Sequence, residues 1–384
     1  MYFEFLSPSR IVFGRNAIDT LPSHVTRYGK VVLLVFGRNF ARRYGYVDRL
    51  HNLLCKEGLR VHIVEGIEPN PSIEQCNYIG EKYYNKGIDV IVAFGGGSVI
   101  DAAKAIAVKI SLTKDLSKLL YPNTIDQEIV PIIAIPTTCG TGSEVTRYSI
   151  LTDTKRKRKV ALVGSGIIPR VAFIDPGVLV HLPKSLLIWT SLDALSHAIE
   201  SFIASTSNMF SQMFSIEAIR IIINNITYAI SNSVNDIHIL QNLHLASTLA
   251  GFAINITGTT LTHALGYYLT THHGLHHGLA NAVILLYSIE ISLYSLQEEK
   301  LRRLLEVFHV NTIEGMLRKL AILLKRLGIP TSLNKIGVSP QEIDDITQIT
   351  LEYRRNIENT PVEIDKEVIK KILLKAFKGI DQYL

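Results

Sequence analysis

The chain has 384 residues, of which 47% are hydrophobic and 19% charged, and its formal net charge is +6. This length predicts two domains, because single hydrophobic cores stop growing at about 250–300 residues. The apolar runs are interrupted too often to cross a bilayer and the N-terminus lacks a secretion signal, so we expect a cytoplasmic protein without membrane contact. The three cysteines are far apart and form no CxxC pair, which excludes a disulfide framework and a cysteine-based zinc site.

Basic residues are dispersed along the chain except at positions 155–159, where five follow one another. We interpret this run as a solvated hairpin turn. Nucleic-acid binding is therefore not expected, although a positive field would suit a ligand that carries phosphates.

The first half of the chain alternates strand and helix patterns, and its continuous apolar runs are typical of strands buried in a parallel sheet. After residue 183 nearly every segment has helical spacing. We predict an α/β domain at 1–182, with a Rossmann-like parallel sheet, and an all-helical domain at 183–384. The predicted strands of the first domain are 2–6, 10–13, 30–36, 60–64, 88–94, 130–135, 147–151, 160–163 and 171–174.

The predicted helices of the second domain are 184–204, 208–229, 236–256, 260–271, 277–294, 296–308, 312–327, 340–354 and 364–378.

A glycine loop, Gly95-Gly96-Gly97-Ser98, joins the predicted strand 88–94 to a helix. Backbone N–H groups and the helix dipole at such a junction attract anions, and glycine allows a phosphate to approach the backbone closely. The alternative is a plain helix cap, with Ser98 as the N-cap and Asp101 three residues later as in a capping box. Three consecutive glycines exceed what a cap requires and favour phosphate binding.

A second loop follows the predicted strand 130–135 and is rich in hydroxyl side chains. Open α/β sheets bind ligands at the carboxyl ends of their strands, which is where this loop begins. A plain hydrophilic loop is the alternative. The candidate ligand-binding groups are the short hydroxyl side chains and glycines of the loop 136–146.

Asp193 and His197 are four residues apart in a helical pattern, so both side chains point to one face and could bind the same ion. His263 and His277 can complete a four-ligand set only if the chain turns back between them, since a straight helix would separate them by about 21 Å. Gly274 and Gly278 provide a turn signal. The alternative is that these side chains are structural or solvated, with the histidine tract forming a loop.

These motifs occur in the same order as in the iron-containing (group III) alcohol dehydrogenases, and the chain resembles that family through about residue 290. The residues that carry the resemblance are Gly95-Gly96-Gly97-Ser98 with Asp101 and Lys104, the loop 136–146, Asp175-Pro176, the stretch 192–200 and His277-Gly278-Leu279-Ala280-Asn281.

The resemblance implies an oxidoreductase in which a metal acts as Lewis acid on the oxygen of an alcohol or aldehyde while hydride moves to or from a nicotinamide. The implied metal ligands are Asp193, His197, His263 and His277, and the metal is expected to be Fe(II), with Zn or Ni as alternatives. The implied pyrophosphate contacts are Gly96, Gly97 and Ser98, with Thr137, Thr138, Thr141 and Ser143 along the cofactor and Asn70 and Lys159 at further cofactor positions.

The choice between NAD and NADP depends on the end of the second long strand. NAD-preferring members often carry Asp at the position of Gly37, where its carboxylate bonds the ribose hydroxyls. Gly37-Arg38 instead leaves space and supplies a cation, with Arg42 and Arg43 one turn further on. NADP is therefore expected over NAD, unless these arginines belong to a solvated helix face.

Two positions depart from the family pattern. Tyr267 stands where many members have a histidine implicated in proton transfer, so Tyr267, a water molecule, His272 or His273 would have to replace it. His276 stands where proline is common. A dehydroquinate synthase-like lyase and a glycerol-phosphate dehydrogenase-like enzyme are alternatives on the same architecture, and a homo-oligomer, dimer or higher, is expected.

Overall fold

The computed structural model describes residues 3–228 and 236–384, and the chain forms two compact units, Glu4–Leu182 and Pro183–Leu384, with Phe3 grouped with the second. The first unit contains six parallel strands in the order β1-β8-β5-β4-β2-β3 and an antiparallel hairpin of β6 and β7. The strands are β1 (Arg10–Phe13), β2 (Val31–Gly37), β3 (Arg60–Ile67), β4 (Val90–Gly95), β5 (Ile132–Pro136), β6 (Tyr148–Asp153), β7 (Arg158–Val163) and β8 (Val171–Ile174).

The strand order reverses direction between β2 and β4. From β2 the chain continues outward to β3, and from β4 it proceeds on the other side to β5 and then β8. The fully buried faces of β4 and β5 explain why their sequences read as uninterrupted apolar runs. The helices of this unit are α1 (Leu21–Val25), α2 (Phe40–Arg43), α3 (Tyr46–Cys55), α4 (Ile73–Tyr83) and α5 (Gly97–Leu112).

The second unit is all-helical in its described part. The core helix α6 is buried over nearly its whole length and packs against α7, α8 and α10. The helices are α6 (Lys184–Ile203), α7 (Met209–Ile226), α8 (Ile237–Thr257), α9 (Leu261–His272), α10 (His277–Leu293), α11 (Glu298–Val307), α12 (Ile313–Arg326), α13 (Ile343–Glu352), α14 (Arg354–Glu358) and α15 (Lys366–Lys378). The α/β fold with a helical C-terminal unit is as predicted.

Several local predictions need correction. Residues 3–6 of the predicted strand 2–6 are not in a strand, and Tyr2 lies outside the described residues, as does position 229 of the predicted helix 208–229. The segment after β2 forms two helices, α2 and α3, which are separated at Gly45, a residue in the left-handed conformation with φ of 73°.

One described helix is long and apolar enough to cross a membrane, contrary to the expectation from the sequence. Helix α8 has 21 residues and a mean hydropathy of 1.2 over 18 of them, but 56% of that window is buried inside the protein. Since it packs against α6 and α7, it has the surroundings of a core helix.

Candidate active site

The glycine loop lies at the carboxyl end of β4, next to the point where the strand order reverses. The N-cap of α5 is Gly96, which has no side-chain hydrogen bond, so the alternative with Ser98 as the cap is wrong. A Cβ on Gly97 would lie 2.5 Å from Cγ2 of Thr141, and one on Gly95 would lie 2.4 Å from Cγ2 of Val99. Both glycines therefore allow close packing between the helix N-terminus and its neighbours.

Asn70 connects the glycine loop to the β6–β7 hairpin. Its backbone is left-handed, with φ of 59°, and its N–H donates to Oγ of Ser98 at 3.2 Å. Its Oδ1 accepts from Nζ of Lys159 at 2.8 Å. Lys159 is only 8% exposed, and burial lowers its pKa to about 8 although Asp101 opposes this shift. Residues 155–157 of the basic run lie in the turn 154–157, as predicted, but Lys159 is buried in β7.

The hydroxyl-rich loop after β5 is anchored by Asp101. The carboxylate accepts from Oγ of Ser143 at 2.5 Å and from the N–H of Ile150 at 3.1 Å. Thr137 and Ser143 are buried, whereas Thr138 and Thr141 are partly exposed beside Gly96 and Gly97. Asp101 therefore orients the loop, and the threonines line the glycine loop.

The arginines that follow β2 are engaged with carboxylates. Arg38 forms an ion pair with Glu68 at 2.6 Å. Arg42 binds Glu65 through Nε and Nη2 and Asp48 through Nη1, and the hydrogen bond to Glu65 is the main cause of its raised pKa. Gly37 is open: a Cβ there would make only an ordinary contact of 3.4 Å with Cγ2 of Val99.

In the helical unit, side chains from α6, α9 and α10 converge on one buried point. One ligand atom each from Asp193, His263 and His277 lies within 4.8 Å of the others. Oδ1 of Asp193 is 3.9 Å from Nε2 of His263 and 3.8 Å from Nε2 of His277. His197, one turn after Asp193, places Nε2 2.9 Å from Nε2 of His263. The structure thus brings the four candidate ligands together, with His277 the most exposed at 25%.

Glu200 orients His263, a role that the sequence analysis did not assign. Its Oε1 is 2.5 Å from Nδ1 of His263, while Oε2 accepts from the N–H and the hydroxyl of Thr260 at 2.7 and 2.8 Å. A proton on Nδ1 leaves Nε2 with a lone pair facing the other candidate ligands. Burial works to lower the pKa of His263, but the Glu200 carboxylate raises it overall.

Asn281 is the second residue to which the sequence analysis assigned no role. Its Nδ2 lies 2.9 Å from Oδ1 of Asp193, 3.0 Å from Nε2 of His263 and 3.1 Å from Nε2 of His277. Asn281 is four residues after His277 on α10, so the same helical spacing that linked Asp193 to His197 could have identified it.

The charge of Asp193 is stabilised by its surroundings. Burial works to raise the pKa of this carboxyl, but His197, His277 and His263 together with the amide of Asn281 lower it to about 2. An ionised carboxylate beside three imidazoles is a donor set that suits a divalent first-row metal.

Two family profiles together match most of the chain. The profile of iron-containing alcohol dehydrogenase matches residues 8–176, and the C-terminal profile of the Fe-containing alcohol dehydrogenase family matches residues 187–377. The chain belongs to the iron-containing alcohol dehydrogenase family.

Individual members align over nearly their full length. The chain is 32% identical to 1,3-propanediol dehydrogenase of Citrobacter freundii, covering 98% of this chain and 99% of that protein. It is 30% identical to the NADPH-dependent butanol dehydrogenase of Clostridium saccharobutylicum, with coverage of 98% and 99%. The crystal structure of the iron-containing alcohol dehydrogenase of Thermotoga maritima superposes with a TM-score of 0.88 at 33% identity, covering 98% and 100% of the two chains.

Membership of the family identifies the protein as a metal-dependent oxidoreductase that uses a nicotinamide cofactor to act on alcohols. The four candidate ligands and the glycine loop lie on separate units of the chain, each built as described above.

The two departures from the family pattern have different structural consequences. His276 is the N-cap of α10: its Nδ1 accepts from the N–H of Gly278 at 3.3 Å, so it caps the helix where other members often have proline. Tyr267 stacks on His277 with ring centroids 5.7 Å apart, and burial raises its pKa. His272 stacks on Tyr268 instead, and His273 pairs with Glu342 at 2.8 Å.

Proposed function

We propose that the protein interconverts primary or secondary alcohols and their aldehydes or ketones with NADP(H), using Fe(II) held by Asp193, His197, His263 and His277. The observation that carries the proposal is the buried convergence of these side chains, with Glu200 orienting one of them.

The residues present fit a divalent cation. The Asp193 carboxylate is surrounded by imidazole nitrogens, and Nε2 of His197 lies 2.9 Å from Nε2 of His263, so these donor atoms would hold a divalent cation. When bound, the metal would supply Lewis-acid polarisation of the substrate oxygen.

The chain's own residues perform the remaining tasks. Glu200 accepts a hydrogen bond from Nδ1 of His263 and so keeps the proton on that nitrogen. The lone pair of Nε2 is then available as a metal ligand. Tyr267 stacks on His277, and this position beside the candidate ligands supports its hydroxyl as the proton donor during carbonyl reduction, although burial raises its pKa and so makes the phenol a weaker acid. On the α/β unit, the N-terminus of α5 would bind the pyrophosphate, with Asn70 and Lys159 beside it.

The names of several relatives, which specify 1,3-propanediol, butanol and methanol, support an alcohol or its aldehyde as the substrate. NADP is supported by the absence of a carboxylate at Gly37 and the presence of Arg38.

A cytoplasmic location is supported by the free cysteines Cys55, Cys76 and Cys139. A homo-oligomer is supported by the edge position of β1, where Ile11 and Phe13 are 36% and 40% exposed, because an exposed edge strand can pair with another chain. Light scattering after size-exclusion chromatography tests the oligomeric state.

The activity is tested by following NADPH and NADH oxidation with a panel of aldehydes and ketones, after reconstitution with Fe(II) or Zn(II). We expect turnover that depends on the metal and is lost in His263→Ala. Full activity in that variant would exclude the proposed ligand set. Cofactor recycling without net oxidation would instead indicate the lyase alternative, and a requirement for a phosphorylated substrate would indicate the glycerol-phosphate alternative.

A further inference from the structure

A short helix near the end of the chain packs against the start of α9. This helix, α14 (Arg354–Glu358), ends at its C-cap Asn359, and Thr360 follows. Asn359 and Thr360 are buried, with exposures of 6% and 5%. Their hydrogen bonds reach residues 99 to 102 positions earlier in the chain, so no local spacing indicates these contacts.

Asn359 ties the end of α6 to the start of α9. Its Nδ2 donates to the carbonyl oxygens of Thr257 at 2.9 Å and Thr259 at 3.1 Å, which uses both hydrogens of the amide. Its Oδ1 accepts from the hydroxyl of Thr206 at 2.6 Å, and its main-chain carbonyl accepts from the N–H of Ser205 at 2.9 Å. Asn359 therefore fixes how two helices that carry candidate ligands meet.

The peptide group before Thr260 is held at both of its ends. Its carbonyl, that of Thr259, accepts from Asn359, and its N–H, that of Thr260, donates to Oε2 of Glu200 at 2.7 Å. Because a peptide group is planar, holding the carbonyl also fixes the direction in which the N–H points. Asn359 thus aims the N–H of Thr260 at the carboxylate.

The peptide group after Thr260 is held in the same way. Its carbonyl lies 3.3 Å from Nδ2 of Asn356, and its N–H, that of Leu261, donates to Oγ1 of Thr360 at 3.2 Å. Leu261 is the first residue of α9, and the first N–H groups of a helix have no partner within the helix. The hydroxyl of Thr360 supplies that partner and fixes where α9 begins.

The constraint on Thr260 reaches the candidate ligands through Glu200. The hydroxyl of Thr260 donates to Oε2 at 2.8 Å, as its N–H does, and Oε1 is left to accept from Nδ1 of His263 at 2.5 Å. We propose that Asn359 and Thr360 are positioning residues of the metal site. They hold Thr260, Thr260 fixes the carboxylate of Glu200, and that carboxylate orients His263. This inference rests on the proposed function and names residues that keep its ligand set in place.

Asn359→Asp tests the first contact with little change in size. It keeps an acceptor oxygen for Thr206 but turns a second oxygen toward the carbonyls of Thr257 and Thr259, so the hydrogen bonds to them are lost. We expect the affinity for Zn(II) to fall about ten-fold, the low end of the range for residues that orient a metal ligand.

Thr360→Val and Thr360→Ser test the second contact as a pair. The valine keeps the shape but leaves the N–H of Leu261 without its acceptor, so Zn(II) affinity should fall. The serine keeps the hydroxyl and should bind Zn(II) as the wild-type protein does. Restoration by the conservative variant assigns the effect to the hydrogen bond.

The Zn(II) affinity of the full-length, metal-free protein is measured by competition with a chromophoric chelator. The absorption spectrum of the Co(II)-loaded protein reports the arrangement of the ligands, and urea unfolding without metal gives the stability of each variant. The matched control is Asn225→Asp on α7, which removes a hydrogen bond of 2.8 Å from Nδ2 to the carbonyl of Ile221. It should leave the Zn(II) affinity and the Co(II) spectrum unchanged, whatever its stability.

Weaker Zn(II) binding and an altered Co(II) spectrum in Asn359→Asp and Thr360→Val, with wild-type values in Thr360→Ser and the control, support the inference. Wild-type affinity and spectrum in both test variants overturn it, even if both are less stable, and leave the proposed function intact. If Asn359→Asp does not fold, the two Thr360 variants decide by themselves. A wild-type protein that binds neither ion would remove the proposed metal site, and this inference with it.

Discussion

At the level of single residues, the helical unit contains a buried carboxylate whose charge is compensated on every side. Glu200 is fully buried and accepts hydrogen bonds from Thr260 twice and from His263 once. A buried charge is tolerated because its hydrogen-bond partners replace the lost hydration. Removing one partner, or the charge itself, therefore shows how far the site depends on these hydrogen bonds.

We expect Glu200→Gln to weaken binding of Fe(II) or Zn(II) about 10- to 100-fold, because a neutral amide cannot accept from both Thr260 and His263 without presenting an N–H to one of them. Competition with a metal-binding dye measures the affinity. Glu217→Gln, a change on the exposed face of α7, is the control. Wild-type affinity in Glu200→Gln would show that Glu200 does not orient His263.

His244 is also buried, but unlike Glu200 its side chain is unsatisfied: neither ring nitrogen has a hydrogen-bond partner within the described structure. His244→Leu should therefore stabilise the protein by about 1–3 kcal/mol at neutral pH, measured by urea unfolding. His238→Gln, at the exposed start of α8, serves as the control and should change little. A loss of stability in His244→Leu would indicate that His244 has a polar partner.

The same residue predicts a pH dependence. Burial lowers the pKa of His244 to about 3, from 6.5 in the unfolded chain. Between these values the unfolded state binds the proton and the folded state does not, so stability decreases as pH falls below 6.5. At pH 5 the loss due to His244 should be about 2 kcal/mol, and His244→Leu should not show it. Equal losses in both proteins would contradict the assignment.

At the level of elements, α10 approaches α6 so closely that only glycine fits at one contact. A Cβ on Gly278 would lie 2.1 Å from the carbonyl oxygen of Trp189 and 3.1 Å from Cβ of Asp193. This close approach sets His277 beside Asp193. The position of a candidate ligand thus depends on the packing distance between two helices.

Gly278→Ala should force α10 away from α6 and destabilise the protein by about 1–3 kcal/mol, which chemical unfolding measures. Metal affinity should fall as well, because His277 moves with the helix. Gly315→Ala is a matched control in the first turn of α12, where a Cβ would meet Thr312 at 3.3 Å. If Gly278→Ala matches the control in both measurements, the close approach is not required.

At the level of the whole helical unit, the candidate ligands join α6, α9 and α10, which belong to one compact body. An ion bound only by the folded state stabilises it by about 4 kcal/mol at a free concentration 1,000 times its Kd. Adding Fe(II) or Zn(II) to metal-free protein should therefore raise its melting temperature.

In differential scanning fluorimetry, His263→Ala should lose this metal-dependent increase, whereas His238→Gln should keep it. Even if the variant melts lower without metal, only its response to added metal is diagnostic. A full response in His263→Ala would mean that the stabilising ion binds elsewhere.

Sequence periodicity determined much of this protein by itself. The apolar runs of β2, β4 and β5 and the 3.6-residue spacing after residue 183 are local patterns, so strands and helices followed from them. The pairing of Asp193 with His197 is equally local. Tertiary structure decided what depends on distant neighbours: Glu200 meets His263 across 63 positions, and Glu68 meets Arg38 across two strand ends. Lys159 is buried by the same kind of long-range packing. Contacts of this kind join chain segments that no local spacing relates, which is why these contacts emerged only from the fold.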